Sequence, residues 1–290
     1  MSVTAPAHPL AAPARAAPPQ TSAAAPTIFE QADRIMLATP CYGGNVKQEF
    51  MTSLIDSIMH LNAHFRQPDG SECVQPVIAD MSFLENESHI DRARNKLANR
   101  FLRSPYNWLL FDDADIVHTH ADVGRLWVSG MRGARLVCGA YAMKGVVPQF
   151  AVAAAAGAVA DKDGLIEAVH SGTGFMLIHR SVFEKIEAAG LAPLYNLGSN
   201  DPDRALGVLT NRAYFKSGVR EMGGAGPLWL SEDYMFCYEY RQLGGKVMVD
   251  KNINLQHIGS LKFPAQPVEI AAAMRELRRV GAPGLPVEKI

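Results

Sequence analysis

From Arg34 to Ala140 the chain alternates strand-like and helix-like apolar patterns, and this alternation limits the fold more than any other feature of the chain. Arg34-Ile35-Met36-Leu37-Ala38-Thr39 reads as a strand, stopped by Pro40 and the loop Cys41-Tyr42-Gly43-Gly44-Asn45. From Lys47 to about Phe65, Phe50, Leu54, Ile58 and Leu61 recur at three- and four-residue spacing, which gives a helix with one apolar face. Val74 to Ala79 then reads as a strand, Ile90 to Leu102 as a helix and Asn107 to Phe111 as a strand. A helix near Ala121 to Met131 and a strand from Arg135 to Ala140 complete the series. Strands separated by helices predict an α/β domain with a mostly parallel central sheet and covering helices.

The second half is less regular. A strand at Gly174 to His179 and a helix from Ser181 to Ala189 precede a long polar, glycine-rich stretch ending near Leu228. A helix from Glu232 to Leu243 and strands at Lys246 to Val249 and Ile253 to His257 follow. A stretch as long as Leu191 to Leu228 is rarely a plain connection, so it reads as a mobile lid, with Tyr214 and Phe215 placed to rest on an acceptor.

Residues 1–27 are dominated by alanine and proline and read as a disordered tail; residues 28–265 form the folded domain, and 266–290 a C-terminal helix and tail. A formal net charge of −1 with no basic stripe weakens a nucleic-acid surface. The four cysteines are scattered and form no CxxC pair, which argues against a zinc knuckle or disulfide scaffold. No signal-like N-terminus or membrane-length apolar run is present, so a cytoplasmic protein without a membrane span is expected.

The chemistry concentrates at Phe111-Asp112-Asp113-Ala114-Asp115, where an apolar strand ends. Carboxyl ends of parallel strands form the ligand crevice of an open sheet. Carboxylates crowded there repel one another unless a divalent cation joins them, and such a cation also neutralises a diphosphate.

Several segments in order resemble the GT-A glycosyltransferases. They are Leu37-Ala38-Thr39-Pro40-Cys41-Tyr42, then Ser88 to Leu97 with its Ala93-Arg94-Asn95 core, and Asp113-Ala114-Asp115-Ile116. Gly172-Thr173-Gly174-Phe175, Ser231-Glu232-Asp233-Tyr234 and Leu255-Gln256-His257-Ile258-Gly259 follow. The likeness spans Arg34 to about Phe263 and is nearest to family 2-like and Anp1-like members of bacterial or phage type. It implies a GT-A type fold with a Rossmann-like sheet and an irregular acceptor-side half. It also implies a metal-dependent transfer of a sugar from a nucleotide diphosphate donor.

The resemblance assigns roles to positions of this sequence. Asp113, Asp115 and His257 would hold Mn²⁺ or, less well, Mg²⁺, since a mixed oxygen and nitrogen set suits manganese. Thr39, Pro40, Tyr42, Arg94, Asn95, Asp112, Asp113 and Lys144 would contact the nucleotide-sugar donor, Arg94 by pairing with pyrophosphate. Thr173 and Gly174 would line the donor-sugar or acceptor pocket, and Trp229 either stacks on a sugar or fills the core. Asp233, with Glu232 beside it, would accept the acceptor hydroxyl's proton if the enzyme inverts, and would position substrate if it retains. Arg92 and Arg94 do not share a helix face, so one of them, Arg94, is expected at the donor. His118 and His120 receive no role. The acceptor stays open among glycan, protein and modified nucleic acid. Two other activities fit a nucleotide-binding α/β chain: a sugar-nucleotide nucleotidyltransferase, for which Gly43-Gly44-Asn45-Val46-Lys47 is a poor phosphate loop, and a non-catalytic nucleotide-sugar-binding protein.

Overall fold

The computed structural model of the chain describes residues 27–145, 149–221, 226–259 and 262–264. Of the segments read as tails, 1–27 and 266–290, all but Thr27 lie outside them.

Eight strands make the central sheet: β1 (Ile35–Cys41), β2 (Ile78–Glu85), β3 (Trp108–Asp112), β4 (Leu136–Gly139), β5 (Val152–Ala154), β6 (Leu165–Ser171), β7 (Phe175–His179) and β8 (Val247–Asp250). Their order is β2-β1-β3-β7-β4-β8-β6-β5. The helices are α1 (Gln48–His60), α2 (Ile90–Arg103), α3 (His120–Met131), α4 (Arg180–Ala188) and α5 (Glu232–Gln242).

The sheet is mixed rather than mostly parallel. β1 pairs in parallel with β2 and β3, and β4 with β8, whereas β7 runs against β3 and β4, and β6 against β8 and β5. Parallel neighbours need a long crossover, which α1 and α2 supply between the first strands. Between β5 and β7 the described chain has no helix, and β5 and β6 pair as antiparallel neighbours.

Side chains alternate across β1 with the period of a strand, and each set meets its own helices. Met36 and Ala38 pack with Leu97 and Phe101 of α2 and with Leu109 and Phe111. Ile35 and Leu37 pack with Phe50 and Leu54 of α1, with Val123, Leu126 and Trp127 of α3, and with Leu110. Both faces of the sheet are therefore covered, and β3 is buried along its whole length. The carboxylates that follow it are held on a rigid support.

Two boundaries in the first half differ from the sequence reading, and the late strand expected at Ile253 to His257 spans Gln256–Ile258. α1 ends at His60, and Asn62–Arg66 forms a strand of a small separate sheet with Ile28–Phe29 and Glu72–Pro76. The expected strand at Val74 to Ala79 is thus split: its start belongs to that small sheet, and β2 begins only at Ile78. β2 is an edge strand whose exposed polar positions hide its apolar pattern.

The long stretch before Leu228 is also corrected. Leu194–Asn196 pairs with Thr210–Arg212, and Gly218–Glu221 with Pro227–Leu230. Tyr214 and Phe215 are core residues, 1% and 0% exposed, packed among Phe183, Phe111 and Phe236. Asn95 and Asn99 of α2 bind the backbone of Phe215 and Arg212. Tyr214 and Phe215 do not rest on an acceptor, and the segment around them is bolted to the domain. The expected glycine-rich hinge falls largely on residues 222–225, outside those described. No helix among the described residues is long and apolar enough to cross a membrane.

Candidate active site

The loop after β3 is fixed through its backbone from three directions. The Asp113 amide donates to the Gly174 carbonyl at 2.9 Å, the Lys47 amide to the Ala114 carbonyl at 2.9 Å, and the Ile258 amide to the Asp115 carbonyl at 2.8 Å. Ile116–Val117 pairs with Gln256–Ile258 in a small antiparallel sheet, with Ile116 opposite His257. That register delivers His257 to Asp115 from the far end of the chain.

The two side chains meet in an unusual way. His257 Nδ1 lies 2.8 Å from the Ala142 carbonyl, which can only accept, so Nδ1 carries the hydrogen. The other nitrogen, Nε2, then presents a lone pair to Asp115 Oδ1 at 3.4 Å. Two acceptors facing each other need a proton or a metal cation between them. Fixing one imidazole nitrogen on a carbonyl while the other ligates is the usual outer-shell arrangement of a metal-binding histidine. The Lys144 ammonium bonds the second oxygen of Asp115. Although burial pushes the Asp115 carboxyl upward, the nearby His257 imidazole and the Lys144 ammonium hold it below the ordinary carboxylate range. The carboxylate and imidazole thus suit a divalent cation of the manganese class.

Asp113 is engaged differently. Both its oxygens receive the Arg94 guanidinium, at 3.1 Å each, and Arg94 Nε donates to Glu232 Oε1 at 3.2 Å. Arg94 is 4% exposed and stacks over the Phe111 ring at 5.4 Å. Burial alone would lower its pKa, but the charges of Asp113 and Glu232 overcome that and raise it. All three nitrogens are committed within the protein, so Arg94 is a strut joining the loop after β3 to the start of α5. The expected pairing with pyrophosphate would require that strut to open. Arg92, on another face of α2, pairs with Glu87 instead.

Asn95 is similarly spent on the Phe215 backbone, at 2.6 and 2.8 Å, and serves the fold. Asp112 is fully buried with one oxygen 2.8 Å from His118 Nε2, facing inward rather than into the crevice. His118 is thereby a structural partner, its pKa raised by the adjacent carboxylate against the opposing effect of burial.

At the start of α5, Glu232 and Asp233 occupy different surroundings. Glu232 is 8% exposed and bound to Arg94, and burial followed by the neighbouring Asp233 raises its pKa. Asp233 is half-buried; its Oδ1 accepts from the Ser231 hydroxyl and, at 2.8 Å, from the Tyr234 amide. Its other oxygen has no hydrogen bond among the described residues. Ser231 therefore bonds Asp233 instead of capping α5 with its side chain.

Tyr141 was not singled out from the sequence. It is buried, its hydroxyl accepts from the Gly174 amide at 3.1 Å, and its ring meets His257 edge-on at 5.3 Å. Burial, and then the charge of Asp113, raise its pKa. Its signal in the sequence was an aromatic two residues beyond the end of buried β4, too common to stand out. A Cβ on Gly174 would come within 2.8 Å of the Tyr141 ring and 3.1 Å of Asp113 Oδ2. Gly174→Ala should therefore cost about 1–3 kcal/mol, the range for overpacking a filled site. Urea unfolding checks it; unchanged stability would mean that Tyr141 moves freely.

The remaining residues expected at the site differ in exposure. Thr39 and Thr173 are fully buried, and both hydroxyls lack a partner in the described structure. Pro40 is half-buried in β1, Tyr42 is 75% exposed beyond its end, and Trp229 is 70% exposed on the hairpin before α5 rather than in the core. A cleft of about 450 Å³ lies elsewhere, lined by Arg132, Arg135, Lys185 and Lys246 among others, and includes none of these residues.

No protein-family model matches the chain, and no curated protein does. Among solved structures it is similar to A197 from STIV, at 17% identity and a TM-score of 0.45, covering 80% of this chain and 94% of that one. It is also similar to GalNAc-T7 with UDP, GalNAc and Mn²⁺, at 12% identity and a TM-score of 0.44. That match covers 78% of this chain but only 44% of the other, so this chain spans less than half of GalNAc-T7. At these scores neither likeness assigns a family or an activity.

Proposed function

We propose that the chain is a GT-A type glycosyltransferase that uses Mn²⁺ or Mg²⁺ to move a sugar from a nucleotide diphosphate donor to an acceptor. The observation that carries this reading is the approach of His257 Nε2 to Asp115 Oδ1 at 3.4 Å, acceptor against acceptor, at the end of a buried strand.

Asp115 and His257 would hold the cation, with Asp113 beside them. When bound, it supplies positive charge that stabilises the departing diphosphate. Lys144, bonded to Asp115, is free to turn to a phosphate oxygen once that carboxylate is neutralised. The unpartnered hydroxyls of Thr39 and Thr173 offer hydrogen bonds that no protein group among the described residues takes. Pro40 and Tyr42 extend the same strand end toward the nucleotide.

The strut divides the labour of the two acids on α5. Glu232 is committed to Arg94, so it keeps α5 in register with the loop after β3. Asp233 retains an oxygen able to take a proton. In an inverting reaction that oxygen receives the acceptor hydroxyl's proton as it attacks the anomeric carbon. In a retaining one Asp233 positions the substrate. Trp229, exposed just ahead of α5, offers a ring face to the acceptor.

Melting temperatures with UDP, GDP, CDP and dTDP test donor binding. One nucleotide should stabilise the protein by about 2.7 kcal/mol at a hundredfold excess over its Kd, and only with Mn²⁺ or Mg²⁺. No shift with any of them, or an equal shift in EDTA, contradicts the reading.

A further inference from the structure

A second group of metal-type ligands lies away from this centre. Asp56 and His60 are one turn apart at the end of α1, and His120 is the first residue of α3. His60 Nδ1 is 2.9 Å from Asp56 Oδ1, and His120 Nδ1 is 2.8 Å from Asp56 Oδ2. The imidazole rings stand 5.5 Å apart, and one ligand atom from each of the three residues lies within 4.8 Å of the others. Among the described residues this is the set of three that meets that spacing; Asp113, Asp115 and His257 do not.

We propose that Asp56, His60 and His120 form a binding site for a divalent transition-metal ion of the zinc class, clamping α1 to α3. Two imidazoles and one carboxylate, with the outward side left to water, are a common three-ligand zinc set. The nitrogen-rich composition separates it from the oxygen-rich preference of manganese and magnesium. Both side chains are partly exposed, His60 by 57% and His120 by 44%, so an ion can enter and each Nδ1 can pass its hydrogen to Nε2 without burying a charge. No large movement is needed, because the carboxylate already bridges the rings; the two nitrogens must only draw back from hydrogen-bonding to coordinating positions.

The place of the cluster gives the clamp a consequence. The helices it would join also touch the loop after β3: the Lys47 amide ahead of α1 bonds Ala114, and Ser53 accepts from the His118 amide at 3.1 Å. From Lys47 to Asp56 is nine residues, on the order of 13 Å along a helix. The ion would brace the support of the active site without touching substrate.

The test is Zn²⁺ alone, titrated calorimetrically into the full chain carrying Asp115→Asn and His257→Ala, so that the other site is removed. One equivalent should bind. Adding His60→Ala or His120→Ala should weaken binding by more than about 100-fold, beyond the 10–100-fold typical of losing only an outer-shell partner. The histidines are partly exposed, and circular dichroism confirms that each variant is folded. His60→Gln and His120→Gln provide a second pair that keeps the surface polar. Absence of binding in the parent, or equal binding after these replacements, overturns the proposal and leaves Asp56 with ordinary hydrogen bonds to His60 within α1 and to the amide and ring of His120 at the start of α3.

Discussion

Replacing Arg94 with methionine should destabilise the chain by about 3–5 kcal/mol and abolish donor binding with it. The guanidinium is the shared counter-charge of Asp113 and Glu232, and Glu232 is nearly buried. Removing one partner of a buried ion pair leaves the others uncompensated, which accounts for that magnitude. Asp113 and Glu232 would then repel each other, and the loop after β3 would lose its tie to α5. Arg94→Lys should recover only part of the loss, since an ammonium cannot make the two-pronged bond to Asp113 and also reach Glu232. Urea unfolding measures it, and a loss below about 1 kcal/mol would put the pair in the range of exposed salt bridges and remove the strut from the account.

Asp233→Asn should lower turnover by about 10²–10⁴-fold while donor binding persists. The amide oxygen can still accept from the Ser231 hydroxyl and the Tyr234 amide, so the start of α5 is preserved. What disappears is the oxygen that can take a proton. A fall in kcat with an unchanged melting temperature fits the role; normal turnover would reduce Asp233 to a residue of the helix start.

Much of the covering architecture was legible because it depends on local periodicity. β3 is a run of apolar residues flanked by turns, and α1, α2 and α3 each show a face at helical spacing. Strand direction was not legible. Whether β7 runs with or against β3 depends on how the chain returns from β6, and no residue near Phe175 encodes that. β2 was misplaced because an edge strand needs only half its side chains apolar. Tyr214 and Phe215 looked like contact residues because their neighbours are polar and glycine-rich, yet α2 and α4 supply a pocket for them from elsewhere in the chain.

The site shows the same division. Asp113, Asp115 and His257 are expected from ordered motifs; the pairing of Ile116 with His257 brings the last two side chains to 3.4 Å, whereas Asp113 is held by Arg94. The commitment of Arg94 to protein carboxylates could not be seen, because Glu232 is 138 residues away and either a phosphate or an acid satisfies a guanidinium. Tyr141 was missed for the same reason: its partners, Gly174 in the turn before β7 and His257, lie far along the chain.

The most direct measurement is release of free nucleoside diphosphate from the sugar nucleotide that stabilises the protein, with Mn²⁺ and with EDTA, for the natural chain and for Asp115→Asn. The account predicts release only with the metal and its loss in Asp115→Asn. Release unaffected by EDTA, or retained in that variant, would contradict a metal-dependent transferase at this site.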